Sequence, residues 1–366
     1  MTHRERFKKC VMREKTDRVV YDLCGCGQTL IDYPQTCIEL ADYLGITGVK
    51  QGDFPVDERI LKRLDIDTRI VGGMPTPKTV HNRKKDNTFY DSYGIGYSLV
   101  GDHYEICYNP LKDCTIDEMM AYPMPDAFDI NRNLIREWAE KAMFMHEKTN
   151  YAVIAVHPVL GVFELGCWMF GFDDYLYRLA GEAETVHAFS ERVLEYQKKV
   201  IEIYYNALGK YICCTTSGDD FGTQNGPFMS VTMFDELIKP YFKQRIKYTK
   251  LYTDAFYQHH TCGSIYDFIP IMINCGVDIL NPIQPGTYMM EPKLLKNSFG
   301  DKISFWGGVD TQHLLPKGSI EDITLAVANI ISDMDGCGYI LSPAHCIQWD
   351  VPAKNIATIY GITDHN

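Results

Sequence analysis

His260-Thr261-Cys262 places an imidazole and a thiol two residues apart. In an extended chain, alternate side chains point the same way, so both could grip one ion. Cys346 closes a distant run, Leu341-Ser342-Pro343-Ala344-His345-Cys346, which also has the character of a strand end. Two thiolates and one imidazole suit zinc, a borderline-soft ion, and leave a fourth position for chemistry. Each half alone has a plainer explanation, since His-x-Cys arises by chance and a single cysteine is commonly a small buried residue. Type, spacing and strand-end placement together favour a metal site on His260, Cys262 and Cys346.

Further groups belong near this trio. Glu164 stands alone among apolar neighbours in Phe163-Glu164-Leu165-Gly166-Cys167-Trp168-Met169-Phe170. A lone carboxylate there costs less if it faces a cation, so Glu164 is a candidate fourth, displaceable zinc ligand; a carboxylate at a helix start would be equally at ease. Asp219 and Asp220 are candidates to orient substrate, to hold a ligating histidine or to cap the following turn. His345 is a candidate catalytic group, while His157, Asn281, Gln284 and Asp310 are candidates for substrate contact. Phe163 and Trp168, with Phe221, Phe305 and Trp306, would supply rings on which a flat substrate could stack. His259 alternates away from His260 and should pack against a helix. Cys24 and Cys26 lack further ligands and are expected to be structural thiols.

The elements that must position these residues follow from periodicity. Eight apolar, β-branched runs are predicted strands: 18–24, 67–71, 152–158, 211–217, 255–260, 276–281, 303–307 and 339–343. Helical spacing over 186–207, 231–251, 265–275 and 319–334 alternates with them. This is the pattern of a (β/α)8 TIM barrel, here one domain over 1–366 with an N-terminal extension. The region from about 72 to 150 predicts a hairpin and lid insertion after the second strand, the hairpin over 82–97. In such a barrel all strand carboxyl ends open on one face, bringing the candidate residues together.

Composition excludes several classes. The chain has 366 residues, 46% hydrophobic and 23% charged, enough for a large core and unlike a disordered or fibrous protein. A net charge of -12 without a basic run argues against nucleic acid. No apolar run approaches a membrane span, and the first residues lack a signal-peptide core, so a cytoplasmic protein is expected. Thirteen scattered cysteines are expected to be reduced.

The runs Gly218-Asp219-Asp220-Phe221-Gly222-Thr223-Gln224, His260-Thr261-Cys262-Gly263, Gly276 to Gln284, Phe305 to Gln312 and Leu341 to Cys346 resemble the uroporphyrinogen decarboxylase superfamily. More narrowly they resemble its zinc-containing, corrinoid-dependent methyltransferase branch. The resemblance is dense over about 152–360 and thinner before it. It implies zinc on His260, Cys262 and Cys346, and it matches His345 to an active-site histidine of the decarboxylases. True decarboxylases carry an arginine-rich segment after the first strand; here Asp22-Leu23-Cys24-Gly25-Cys26-Gly27-Gln28 has no arginine. The branch implies methyl transfer between a small molecule and a corrinoid carried by a partner protein, with a homodimer compatible. Demethylation of a methoxylated aromatic, the first step of an O-demethylase system, is the preferred direction. The alternatives are transfer from methyl-corrinoid to a thiol or tetrahydrofolate, porphyrinogen decarboxylation, and a non-catalytic corrinoid or metal chaperone.

Overall fold

A computed structural model describes residues 1–50, 56–75, 88–101 and 103–363. Eleven strands are found among them: β1 (Val20–Tyr21), β2 (Thr68–Gly72), β3 (Phe89–Tyr90), β4 (Gly96–Val100), β5 (His103–Tyr108), β6 (Ala152–Val156), β7 (Cys214–Gly218), β8 (Phe256–His260), β9 (Ile279–Ile283), β10 (Ser304–Val309) and β11 (Tyr339–Pro343). Eight of them form one parallel sheet in the order β1-β11-β10-β9-β8-β7-β6-β2. The expected (β/α)8 barrel is therefore present. Its strands are buried on both faces, as in β6, whose Ala-Val-Ile-Ala-Val sequence needs no polar alternation because helices cover its outer side.

The seam between β1 and β2 is joined by one residue. Asp67 donates its amide to the Tyr21 carbonyl at 2.9 Å and accepts the Tyr21 N–H on Oδ2 at 2.8 Å. That carboxylate is fully buried and is matched by Arg6, Arg18 and His3 at 2.6–2.7 Å. Arg6 and His3 lie on the N-terminal helix His3–Val11, which covers the lower end of the barrel. Its Phe7 meets the edge of Trp306, with ring centroids 6.0 Å apart, inside a cluster that includes Val20, Ile154, Ile279 and Ile340. The N-terminal extension is thus a plug.

Several boundaries differ from the sequence expectation for local reasons. The first strand is only Val20–Tyr21, because the chain turns at Cys24, whose φ is 59°. The fourth starts at Cys214, since Gly209–Tyr211 still forms a helical turn, and the sixth starts at Ile279 because Gly276 ends the preceding helix at φ 102°. The expected helix over 231–251 is interrupted by a wider π turn, Phe234–Ile238, before Lys239–Thr249. The long helix Ala183–Leu208 buries Val186, Phe189, Val193, Val200, Ile201, Tyr204 and Leu208, an apolar stripe at helical spacing.

Between β2 and β6, the strands β3, β4 and β5 form an antiparallel sheet of their own. Part of the expected hairpin, residues 82–87, lies outside the described residues. The helix Arg132–Lys148 buries Ile135, Ala142 and Met145 in a cluster shared with Val71 of β2, Val153 of β6 and Val200, so it serves as the crossover to β6. Among the described residues, no helix is long and apolar enough to cross a membrane.

Candidate functional site

Strand alternation sorts the paired histidines at the end of β8. His259 turns outward, stacks on Phe221 at 5.7 Å, meets Phe242 at 4.7 Å and bonds Ser217 through Nδ1. His260 turns inward. Its Cα partner in the parallel register is Asn281 of β9, and its Nδ1 is 2.6 Å from Asn281 Oδ1. Asn281 spends its NH2 on the Trp306 carbonyl, so the amide oxygen faces the ring and accepts from Nδ1–H. That leaves Nε2 as a lone-pair donor, 3.3 Å from Cys262 Sγ. Asp220 accepts the Cys262 N–H at 2.8 Å and comes within 3.7 Å of His260 Nε2. The donor atoms of His260, Cys262 and His345 all lie within 4.8 Å of one another.

Cys346, the third donor expected from the sequence, lines the same cavity as His260 and His345, but it falls outside this compact group. Its thiol instead faces the Gly27 carbonyl at 3.5 Å. Burial pushes that thiol up to about 12, and the thiol of Cys262 also moves up through burial and the nearby Asp220. Metal coordination would reverse both shifts by stabilising the thiolates.

The helix Val162–Phe170 brings Glu164 to this mouth. Its N-terminal amides are capped from across the barrel: Asp219 accepts Phe163 N–H at 3.2 Å and Glu164 N–H at 2.8 Å. The helix begins at Gly161, where a Cβ would lie 2.0 Å from Asp219 Cγ, so only glycine lets the carboxylate approach. Asp219 is therefore a buried cap rather than a group that meets substrate. Burial, then the Asp219 and Asp220 charges, push Glu164 up to about 8; burial also pushes Asp219 up to about 6, with Arg245 opposing. Three carboxylates gathered beside imidazole and thiol donors make a site that a divalent cation would relieve, so the residues present fit zinc. Asp219→Ala is expected to lower stability by about 1–3 kcal/mol, because two buried N–H groups lose their acceptor; thermal unfolding of the variant checks this.

The cavity at this mouth has a volume of about 380 Å³, and Glu164, Asp220, His260, His345, Cys346 and Trp168 contribute to its wall. No lysine or arginine lines it among the described residues. His157 also borders it, yet both ring nitrogens are engaged, with Val159 O at 3.2 Å and Thr249 Oγ1 at 3.0 Å, and burial lowers the ring to about 3. It is a neutral wall support. A smaller chamber of about 230 Å³ lies against Cys262 and His345 and is lined by Gln284 and Asp310. Gln284 accepts the Gly263 N–H at 2.6 Å and so shapes the turn after Cys262.

Five expectations for substrate contact are corrected by depth. Phe163 is 1% exposed and packs on Phe221, while Phe221 and Phe305 are themselves core residues. Trp306 lies in the plug region, its Nε1 donating to Asp22 at 3.0 Å. Asn281 is fully buried and orients His260. Trp168 alone of the expected rings borders the cavity. Cys24 and Cys26 are buried thiols, Cys26 close to Thr29. The sequence reading missed a neighbouring aromatic chamber, formed by Phe89, Tyr93 and Tyr97 around the hairpin together with Trp168 and Tyr196. Its signal was present in the density of rings over 89–108.

A methyltransferase structure from Methanosarcina mazei is similar over 98% of this chain and 97% of its own, with TM-score 0.66 and 14% identity. At that identity the likeness speaks for the fold. An endo-1,4-beta-xylanase from Penicillium canescens (12% identity, 67% of this chain and 84% of its own, TM-score 0.39) is much less similar. So is a dihydrodipicolinate synthase from Oceanobacillus iheyensis (10% identity, 75% of this chain and 67% of its own, TM-score 0.29). No curated protein sequence matches the chain. Residues 96–364, well over half the sequence, match the family model described as uroporphyrinogen decarboxylase (URO-D). With its barrel and strand-end site in place, the chain belongs to the uroporphyrinogen decarboxylase family.

Proposed function

We propose that this chain is a methyltransferase that moves a methyl group from a methoxylated aromatic to the Co(I) corrinoid of a partner protein. The observation that carries the reading is the convergence of His260, Cys262 and His345 on an acidic cavity bordered by Glu164 and Asp220. Among the described residues that line the cavity, no lysine or arginine is present to pair the carboxylates of a polycarboxylate substrate, whereas a neutral ether needs no such partner. The likeness to a methyltransferase structure from Methanosarcina mazei agrees with a methyl-transfer reading. Zinc would be held by His260, Cys262 and Cys346, with Glu164 as a displaceable fourth ligand. Cys346 is preferred over His345 as third donor because its thiol is buried and a second thiolate balances the dication.

Zinc, when bound, supplies Lewis acidity toward the ether oxygen. Asn281 fixes the His260 tautomer, and Asp220 holds the Cys262 backbone in place. Val159, Leu160 and Trp168 give the cavity an apolar side that keeps water from the reacting carbon. The methyl–oxygen bond breaks with its electron pair left on oxygen, the Co(I) pair forms the new carbon bond, and the phenolate takes a proton from solvent. Mixing the zinc-loaded chain with Co(I) corrinoid protein and 2-methoxyphenol should produce the methyl-Co(III) spectrum and an equal amount of catechol. Demethylation that proceeds equally well without corrinoid, or turnover confined to amines or thiols, would refute it.

A further inference from the structure

Beside the metal-site cavity lies a second chamber of about 260 Å³, and Met74, Val159, Leu160 and Trp168 border both. Its far wall is aromatic. Phe89 stacks on Tyr97, with centroids 5.1 Å apart and planes at 17°, as cross-strand partners of β3 and β4. Tyr93, in the turn between those strands, meets Tyr196 of the helix Ala183–Leu208 edge-on at 6.0 Å. Inserted sheet and barrel helix therefore enclose the space together. The Tyr97 hydroxyl donates to Asp91 at 3.2 Å, and Asp91 also accepts the Tyr93 and Ile95 amides, which ties the turn to the aromatic wall.

Such a chamber has the size and surface of a subsite for one small planar group. A ring held between Tyr97, Tyr196 and Trp168 would point its edge past Leu160 toward Glu164 and His260 in the adjoining cavity. An aliphatic ether of the same polarity would leave the ring faces without a stacking partner. We infer that this chamber is a ring-binding subsite, separate from the donor cluster, which selects aryl methyl ethers over aliphatic ones and feeds the ether group to the metal cavity. The inference rests on the methyltransferase reading for its substrate but not for its test.

The test is a binding titration that needs neither corrinoid nor turnover. Binding of 2-methoxyphenol to the full-length protein is followed by calorimetry and by quenching of Trp168 fluorescence, beside 2-methoxyethanol, which keeps the ether and hydroxyl but lacks the ring. The expected result is saturable binding of the aromatic at least about tenfold tighter than the aliphatic ether. Tyr97→Leu and Tyr196→Leu should each weaken the aromatic by about tenfold and leave the aliphatic ether unchanged. Trp168→Phe, which keeps a ring in the wall, should weaken the aromatic by no more than about threefold by calorimetry while losing the quench, and it decides the matter if the leucine variants do not fold. Equal affinity for the two ethers, or a full quench in Trp168→Phe, overturns the subsite. Ring binding without any methyl transfer would leave the subsite in place and remove the methyltransferase reading. Methyl transfer with KM and Kd untouched by Tyr97→Leu and Tyr196→Leu would do the opposite.

Discussion

Cys262→Ala is expected to lower bound zinc from near one equivalent per chain to a small fraction and to abolish methyl transfer. Outer partners of a metal ligand typically change affinity by about 10–100-fold, so loss of a direct thiolate should exceed that range. Asn281→Ala, which frees the His260 ring, should fall within it. The same elemental analysis on Cys346→Ala and His345→Ala separates the two candidate third donors. Loss of zinc in Cys346→Ala with retention in His345→Ala is the expected pattern; the reverse would assign the third position to the imidazole that the geometry already groups with His260 and Cys262. Full zinc in Cys262→Ala would sink the whole assignment.

Glu164→Gln is expected to retain zinc yet lower KM and kcat for the aryl ether together, each by roughly tenfold. A carboxylate beside the dication competes with the ether oxygen for the open position, and a neutral amide competes less, so substrate binds more tightly. The departing phenolate is then also held longer, which slows turnover. Steady-state kinetics with 2-methoxyphenol on the zinc-matched variant reads both constants. Unchanged kinetics would leave Glu164 with no role beyond the start of its helix.

The strand-end residues were legible because a parallel barrel sends every carboxyl end to one face, and strands are short enough for apolar periodicity to mark them. His260, Cys262, Cys346, Asp220 and Glu164 could be placed at that face on this ground, and the role of His345 came from the family resemblance. Depth was not legible. Trp306 lies on a predicted strand, yet its place beside the N-terminal plug depends on how Phe7 packs from almost three hundred residues away in sequence. Asn281 was recognised as polar, but its bond to His260 depends on the β8–β9 register, which no single strand encodes. The aromatic chamber stayed hidden for the same reason, since Tyr93 and Tyr196 meet only after the inserted sheet docks on the long helix. Capping of the Glu164 helix by Asp219 is a fourth case, because a cap drawn from another strand has no local signature.

The inserted sheet has an evolutionary consequence. Its rings line a chamber beside the donor cluster, while the clustered His260, Cys262 and His345 sit at or just past the ends of barrel strands. Substitutions over 89–108 are therefore expected to change which ring is admitted with little effect on the donor cluster. Grafting hairpins of other length or composition onto this barrel would separate the choice of bound ring from the donor chemistry.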